Sequence, residues 1–147
     1  MDLAEAGAQG LALSVASGAL FGAAGLRENP GVALAVVAAV LGAFLYGISL
    51  TPEDHPAWPG WVVGAPVAAL AYFTLRDVAT VAGARAGEGG AGGVAFLIGL
   101  GALALAGISL IGPLAYLGVV ALLATVYLAI ARRRRSAEKH AGLRSLR

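Results

Sequence analysis

The side chains best equipped for chemistry in this sequence are the consecutive trio Glu53-Asp54-His55, a second histidine at His140, and hydroxyls and one amide set within apolar stretches. The latter are Gln9, Ser14, Ser17, Ser49, Thr74, Ser109 and Thr125. The trio offers oxygen and nitrogen ligands, but consecutive residues rarely converge on one ion, and no partner cluster exists elsewhere in the chain. It reads as a solvated loop. His140 has no recognisable partners for a Ser/His/Asp arrangement. Gly87-Glu-Gly-Gly-Ala-Gly-Gly93 is rich in glycine but lacks the Lys-Ser/Thr of a phosphate loop, so it reads as a linker. With no cysteine there is no thiolate nucleophile, thiolate metal site or disulfide framework. Hydroxyls in helices usually bond a carbonyl of their own preceding turn, which is the reading for these seven positions where they carry one. No catalytic, cofactor-binding or metal site is expected.

The surrounding chain explains why so little chemistry is on offer. Of its 147 residues, 59% are apolar and 12% charged, and the mean hydropathy is +0.84. Soluble domains run at roughly 45–50% apolar and about 25% charged. Between Glu5 and Arg76 the only charged residues are Arg27, Glu28, Glu53 and Asp54, which leaves gaps of bilayer length. A hydrocarbon core of roughly 30 Å takes about 20 helical residues. Five segments qualify, at residues 6–26, 32–50, 60–75, 91–110 and 113–131. The expected fold is all-α, a polytopic transmembrane bundle in one domain, 1–131, followed by a basic tail, 132–147. The third helix has room to continue to Val81, and Pro113 suits the first turn of the fifth. The first segment is the least hydrophobic; were it a surface or re-entrant element, four spans would remain. It lacks the basic region of a secretory leader, so it reads as retained. None of the spans carries an ionisable group in its middle, unlike proton relays and ion-coupled carriers.

Direction follows from Arg132, Arg133, Arg134 and Arg135, where the last apolar run stops. Such clusters remain on the cytoplasmic side. Threading back from them puts the tail, the 76–90 link with Arg76 and Arg85, and Arg27 inside. The acidic N-terminus and the 51–59 loop with Glu53 and Asp54 then lie outside. Every Lys and Arg falls on the cytoplasmic face. Trp58, Trp61, Tyr46 and Tyr116 fall near the outer surface and Tyr72 and Tyr127 near the inner one, as expected of interfacial aromatics. Seven of the ten basic residues lie in the tail, so its first reading is contact with anionic lipid. No base-reading pattern accompanies the arginines, and nucleic acid is not an expected partner.

The spacing of small residues carries the packing. Gly10, Ser14, Gly18 and Gly22 recur every four residues along one side of the first helix, the small-xxx-small pattern that lets helix backbones approach closely in lipid. Similar stripes run through Ala35, Ala39, Ala43 and Gly47, through Gly60, Gly64 and Ala68, and through Ala91, Ala95 and Gly99. Pro66 removes a backbone donor inside the third helix, where a kink is expected. Gly47-Ile-Ser-Leu50 closes the second helix and Gly107-Ile-Ser-Leu110 the fourth, each with a proline soon after, which raises the possibility that helices two and three repeat as four and five.

Glu53-Asp-His-Pro-Ala-Trp-Pro-Gly-Trp61, the helix after it, the 107–113 turn and the ending Glu138-Lys-His-Ala-Gly-Leu-Arg-Ser-Leu-Arg147 resemble small bacterial membrane proteins, the domain-of-unknown-function family 4126. The likeness covers the last 100 or so residues, while the N-terminal part is shorter than that family leads one to expect. The resemblance implies a bacterial inner-membrane protein and transfers no catalytic residues. Taken together, the expectation is a non-enzymatic protein that packs with itself or with a membrane-protein partner through its small-residue faces. A channel or transporter for a lipid, neutral solute or ion is the alternative.

Overall fold

A computed structural model of the chain describes residues 3–24, 31–51, 56–87 and 90–144, with side chains as far as residue 135. Arg27, Glu28, Glu53, Asp54 and His55, which entered the topology and the ligand reading, lie outside the described residues, as do the side chains of Lys139 and His140. Five helices form: α1 (Leu3–Ala24), α2 (Gly31–Leu50), α3 (Trp58–Ala86), α4 (Gly90–Ser109) and α5 (Leu117–Arg144). All five apolar segments are long and apolar enough to cross a bilayer, as in a multi-pass membrane protein.

The ends follow local chemistry. Helix α3 opens with Pro59 in its first turn, where a missing N–H costs nothing, and stops at Gly87, whose φ of 76° suits only glycine. It runs well past the expected residue 75, because Arg76, Asp77 and Arg85 interrupt apolarity without interrupting helix propensity. Between α4 and α5 the chain turns through Gly112, at φ 25°, into a short 3-10 helix over Gly112–Tyr116 that contains Pro113. The expected start of the fifth helix is therefore a tighter turn, and the α-helix proper continues through all four arginines instead of ending before them.

Helix α1 sits at the centre and touches each of the other four. In its apolar window 67% of residues are buried, against 6% in α4. The segment forms no re-entrant hairpin: α1 is one continuous 22-residue helix. The physical reason is its lining. Ala6, Ala8, Ala12, Ala16 and Ala19 join Gly10, Ser14, Gly18 and Gly22 among its buried residues, so neighbours can close on it from several sides. The more hydrophobic helices surround it and turn their bulk outward, with Val32, Val36, Val40 and Phe44 of α2 and Phe96, Leu97, Leu100 and Leu103 of α4 all exposed. Helices α1, α2 and α3 pack extensively on one another. Helices α4 and α5 lean on α1 and α3 while scarcely meeting each other.

Candidate helix-packing site

The α1 stripe lies against two helices. A Cβ built on Gly18 would run into the Ala68 carbonyl oxygen of α3 and come within 2.7 Å of the Ala71 Cβ; one on Gly22 would lie 2.8 Å from the Tyr72 carbonyl oxygen. One on Gly10 would collide with the Tyr46 ring of α2. Ser14 is fully buried, and its hydroxyl lies 2.8 Å from the Gly10 carbonyl oxygen of its own helix and 3.0 Å from that of Gly42 on α2, either of which it can donate to. All four stripe residues are thus enclosed within the protomer and present nothing to an outside partner.

The α2–α3 contact is equally close. A Cβ on Gly64 would lie 2.5 Å from the Gly42 carbonyl oxygen, one on Gly60 would lie 2.8 Å from the Gly47 amide nitrogen, and Gly47 itself lies under the Trp61 indole. Gly60, Gly64 and Ala68 are buried along α3 in the expected register. On α2 the face differs from the expected Ala35, Ala39, Ala43 and Gly47. Ala35 and Gly47 are buried as expected, Ala39 and Ala43 are half-buried, and Ala38, Gly42, Ser49 and Leu50 are buried besides. From Ala35 through Ala38 to Gly42 the buried positions step by three and then four residues, an alternation that keeps a contact seam from drifting around a helix as a strict four-residue step does.

Two hydroxyls join helices that hydropathy alone would leave tied only by packing. Besides Ser14, Ser49 of α2 lies 3.1 Å from the Ala6 carbonyl oxygen of α1 and 2.7 Å from that of Tyr46 in its own helix. Ser17, Ser109 and Thr125 bond a carbonyl in their own preceding turn, in line with the reading given for helix hydroxyls. Tyr72, expected near the inner surface, lies inside the bundle. It is wholly buried against Ala35 and Ala38, with Phe21 and Leu34 packed on that cluster, and its ring meets Phe73 edge-on at 5.2 Å. Its hydroxyl has no hydrogen-bond partner among the described residues. The signal for this was the continuation of the α3 stripe: 60, 64, 68 and 72 share one face.

Pro66 lies on the exposed side of α3, and the helix continues through it. Two apolar recesses flank these helices. One of about 360 Å³ lies between α2 and α3, lined by Val40, Ala43, Phe44, Trp61 and Ala65 among others; a second, of about 350 Å³, is formed by Leu3, Gly7, Tyr46, Leu50, Pro56 and Pro59. Among the described residues, no group of three or more His, Cys, Asp or Glu side chains is placed to hold a metal ion.

Comparison with known proteins adds no relative: no family model, curated protein or solved structure matches this chain. The resemblance to family 4126 rests on the residues quoted for it.

Helix α4 differs from its neighbours at its glycines. A Cβ on Gly92, Gly93, Gly101 or Gly107 would meet nothing within 4 Å. The expected stripe of Ala91, Ala95 and Gly99 is not a tight seam: Ala91 is exposed and Ala95 and Gly99 half-buried, and the Cβ of Gly99 would find only the tip of Leu20, at 3.9 Å. What α4 does bury is Ala102, in a cluster with Ala16 and Ala19 of α1, and Ser109. The arginines divide. Arg132 is half-buried with its guanidinium 3.8 Å from the Asp77 carboxylate of α3, while Arg133, Arg134 and Arg135 are exposed.

Proposed function

We propose that this chain is a non-enzymatic, multi-pass protein of the bacterial inner membrane, with its N-terminus outside and its tail cytoplasmic, and that it associates through a face of small residues on α4. The partner is a second copy or another membrane protein. The observation that carries the reading is the contrast among glycines. On α1, α2 and α3 the glycines of the packed faces, such as Gly18, Gly22, Gly47, Gly60 and Gly64, are met by a neighbouring backbone or ring. On α4, Gly93, Gly101 and Gly107 are open. At 3.6 residues per turn these three and the exposed Ala104 fall within about a third of the helix circumference, a sector they share with the exposed Leu97, Leu100 and Ile108. Glycine adds no apolar surface and weakens a helix by up to ~1 kcal/mol relative to alanine. Its use on a membrane helix is to let another backbone approach, where van der Waals contact replaces the hydrophobic drive available in water.

The topology is supported by the distribution of Lys and Arg, seven of ten of which follow Ala131. The association is tested with the double substitution Gly101→Leu and Gly107→Leu, which has open space within the protomer. Mass by light scattering in mild detergent, and subunit counting after dilution into liposomes, should shift to the smaller species. An unchanged distribution, or a wild type that is monomeric in both, refutes the α4 reading.

A further inference from the structure

The end of α5 holds an unusual charge geometry. Four consecutive residues of an α-helix occupy about one turn and rise by about 4.5 Å from first to last. Arg132 to Arg135 therefore do not form a stripe; they fan around the helix as a collar. The collar has one distinguished member. Arg132 is turned onto Asp77, and Arg133, Arg134 and Arg135 are exposed.

Its depth can be counted from the opposite end along two separate helices. From Trp58, the start of α3, to Asp77 is about 28 Å at 1.5 Å per residue. From Gly112, through the 3-10 turn at about 2 Å per residue and then along α5, to Arg132 is about 32 Å. Both counts end close to the roughly 30 Å thickness of a hydrocarbon core. The contact between Arg132 and Asp77 fixes these two levels as one. The exposed arginines then stand just beyond the core edge, at the depth of lipid phosphates. Because α5 continues as a helix to Arg144, their backbone is held in place there.

We propose that Arg133, Arg134 and Arg135 form a binding collar for the headgroups of anionic phospholipids, with Asp77 withholding Arg132 from it. The proposal rests on the membrane reading above. It is favoured by charge complementarity: the guanidinium is the side chain best matched to phosphate oxygens, presenting paired donors in a fixed fork. A surface ion pair such as Asp77 with Arg132 is weak in itself, so its consequence is the charge it removes from the collar more than the stability it adds.

The test reconstitutes the full chain into phosphatidylcholine vesicles containing a minority of phosphatidylglycerol, extracts it in mild detergent, and measures the two lipids retained per protein by native mass spectrometry. Wild type should retain phosphatidylglycerol above its share of the vesicle. Replacing Arg133, Arg134 and Arg135 one at a time by Gln should lower that excess by roughly fivefold each, the factor that about 1 kcal/mol per basic residue at an anionic surface converts to. Arg132→Gln should lower it less, and Asp77→Asn should raise it. The wild-type excess should also fall between low salt and about 1 M, where the screening length shrinks to about 3 Å, a readout independent of whether any variant folds. Insertion with equal retention of the two lipids overturns the collar alone, and so does an excess untouched by the triple substitution. Displacement of the lipid by inorganic phosphate beyond that by chloride of equal ionic strength overturns the assignment to lipid. Binding of single-stranded RNA through the same arginines does so too. A chain that never enters the vesicles overturns the membrane reading as well.

Discussion

The hairpin of α2 and α3 and the hairpin of α4 and α5 share a sequence mark and differ in almost everything built around it. Gly47-Ile-Ser-Leu50 closes α2 and Gly107-Ile-Ser-Leu110 closes α4. Gly47 lies under the Trp61 indole and beside Gly60; Gly107 faces open space. Ser49 reaches across to the Ala6 carbonyl of α1, whereas Ser109 bonds Ala106 in its own helix. One hairpin is zipped by backbone approach and wedged against α1. The other is splayed, its two helices each leaning on the centre. The same four residues thus do different work because of what lies opposite them: a packing motif specifies a contact only when a second small residue or a flat ring answers it across the interface.

This comparison can be broken at three levels. The largest effect is expected at Gly64, where leucine would drive a side chain into the Gly42 backbone; overpacking of this kind costs about 3 kcal/mol. Gly64→Leu should unfold at lower denaturant in detergent, while Gly101→Leu, compared with wild type at dilutions where both are monomeric, should leave unfolding unchanged or slightly delayed. Equal sensitivity at the two sites would erase the distinction between the hairpins. A matched pair comes next. Gly47→Ala pushes against the Trp61 ring and should destabilise by roughly 1–2 kcal/mol, whereas Gly107→Ala gains up to ~1 kcal/mol of helix propensity. The comparison fails if the two shift unfolding in the same direction. The smallest effect is at the serines. An interhelical hydrogen bond in a membrane protein contributes about 0.6 kcal/mol, so Ser49→Ala should lower stability by that order and Ser109→Ala by less. A larger loss at Ser109 would mean that the splayed hairpin is held by a bond outside those described.

The five apolar helices were legible because charge is so sparse: Glu5, Arg27, Glu28, Glu53, Asp54 and Arg76 bracket the first three almost without help from propensity. The place of α1 was not. Low hydropathy in a span is compatible with a central helix and with a surface one, and the deciding signal is small residues on several faces. Ala8, Ala12 and Ala16 supply that signal once they are read with Gly10, Ser14 and Gly18. The burial of Tyr72 escaped for a related reason: its position along α3 was read, but not its place on the buried Gly60-Gly64-Ala68 line. The open glycines of α4 were invisible because spacing shows which residues share a face and never whether that face is occupied. For the arginines, sequence order gave the cluster, while the withdrawal of Arg132 onto Asp77 depends on where α5 passes α3.

The central position of α1 has a consequence for the order of synthesis. It is made before the other four, and its faces are shaped for protein on several sides. At about 5–20 residues per second, α2 is completed within a few seconds of α1, and the Ser14 and Ser49 contacts with their partner carbonyls can then clasp the pair. Until α3 arrives, Gly18 and Gly22 remain uncovered. Helix α1 thus lacks most of its sheath during that interval, and its packing is completed only as the later helices are made.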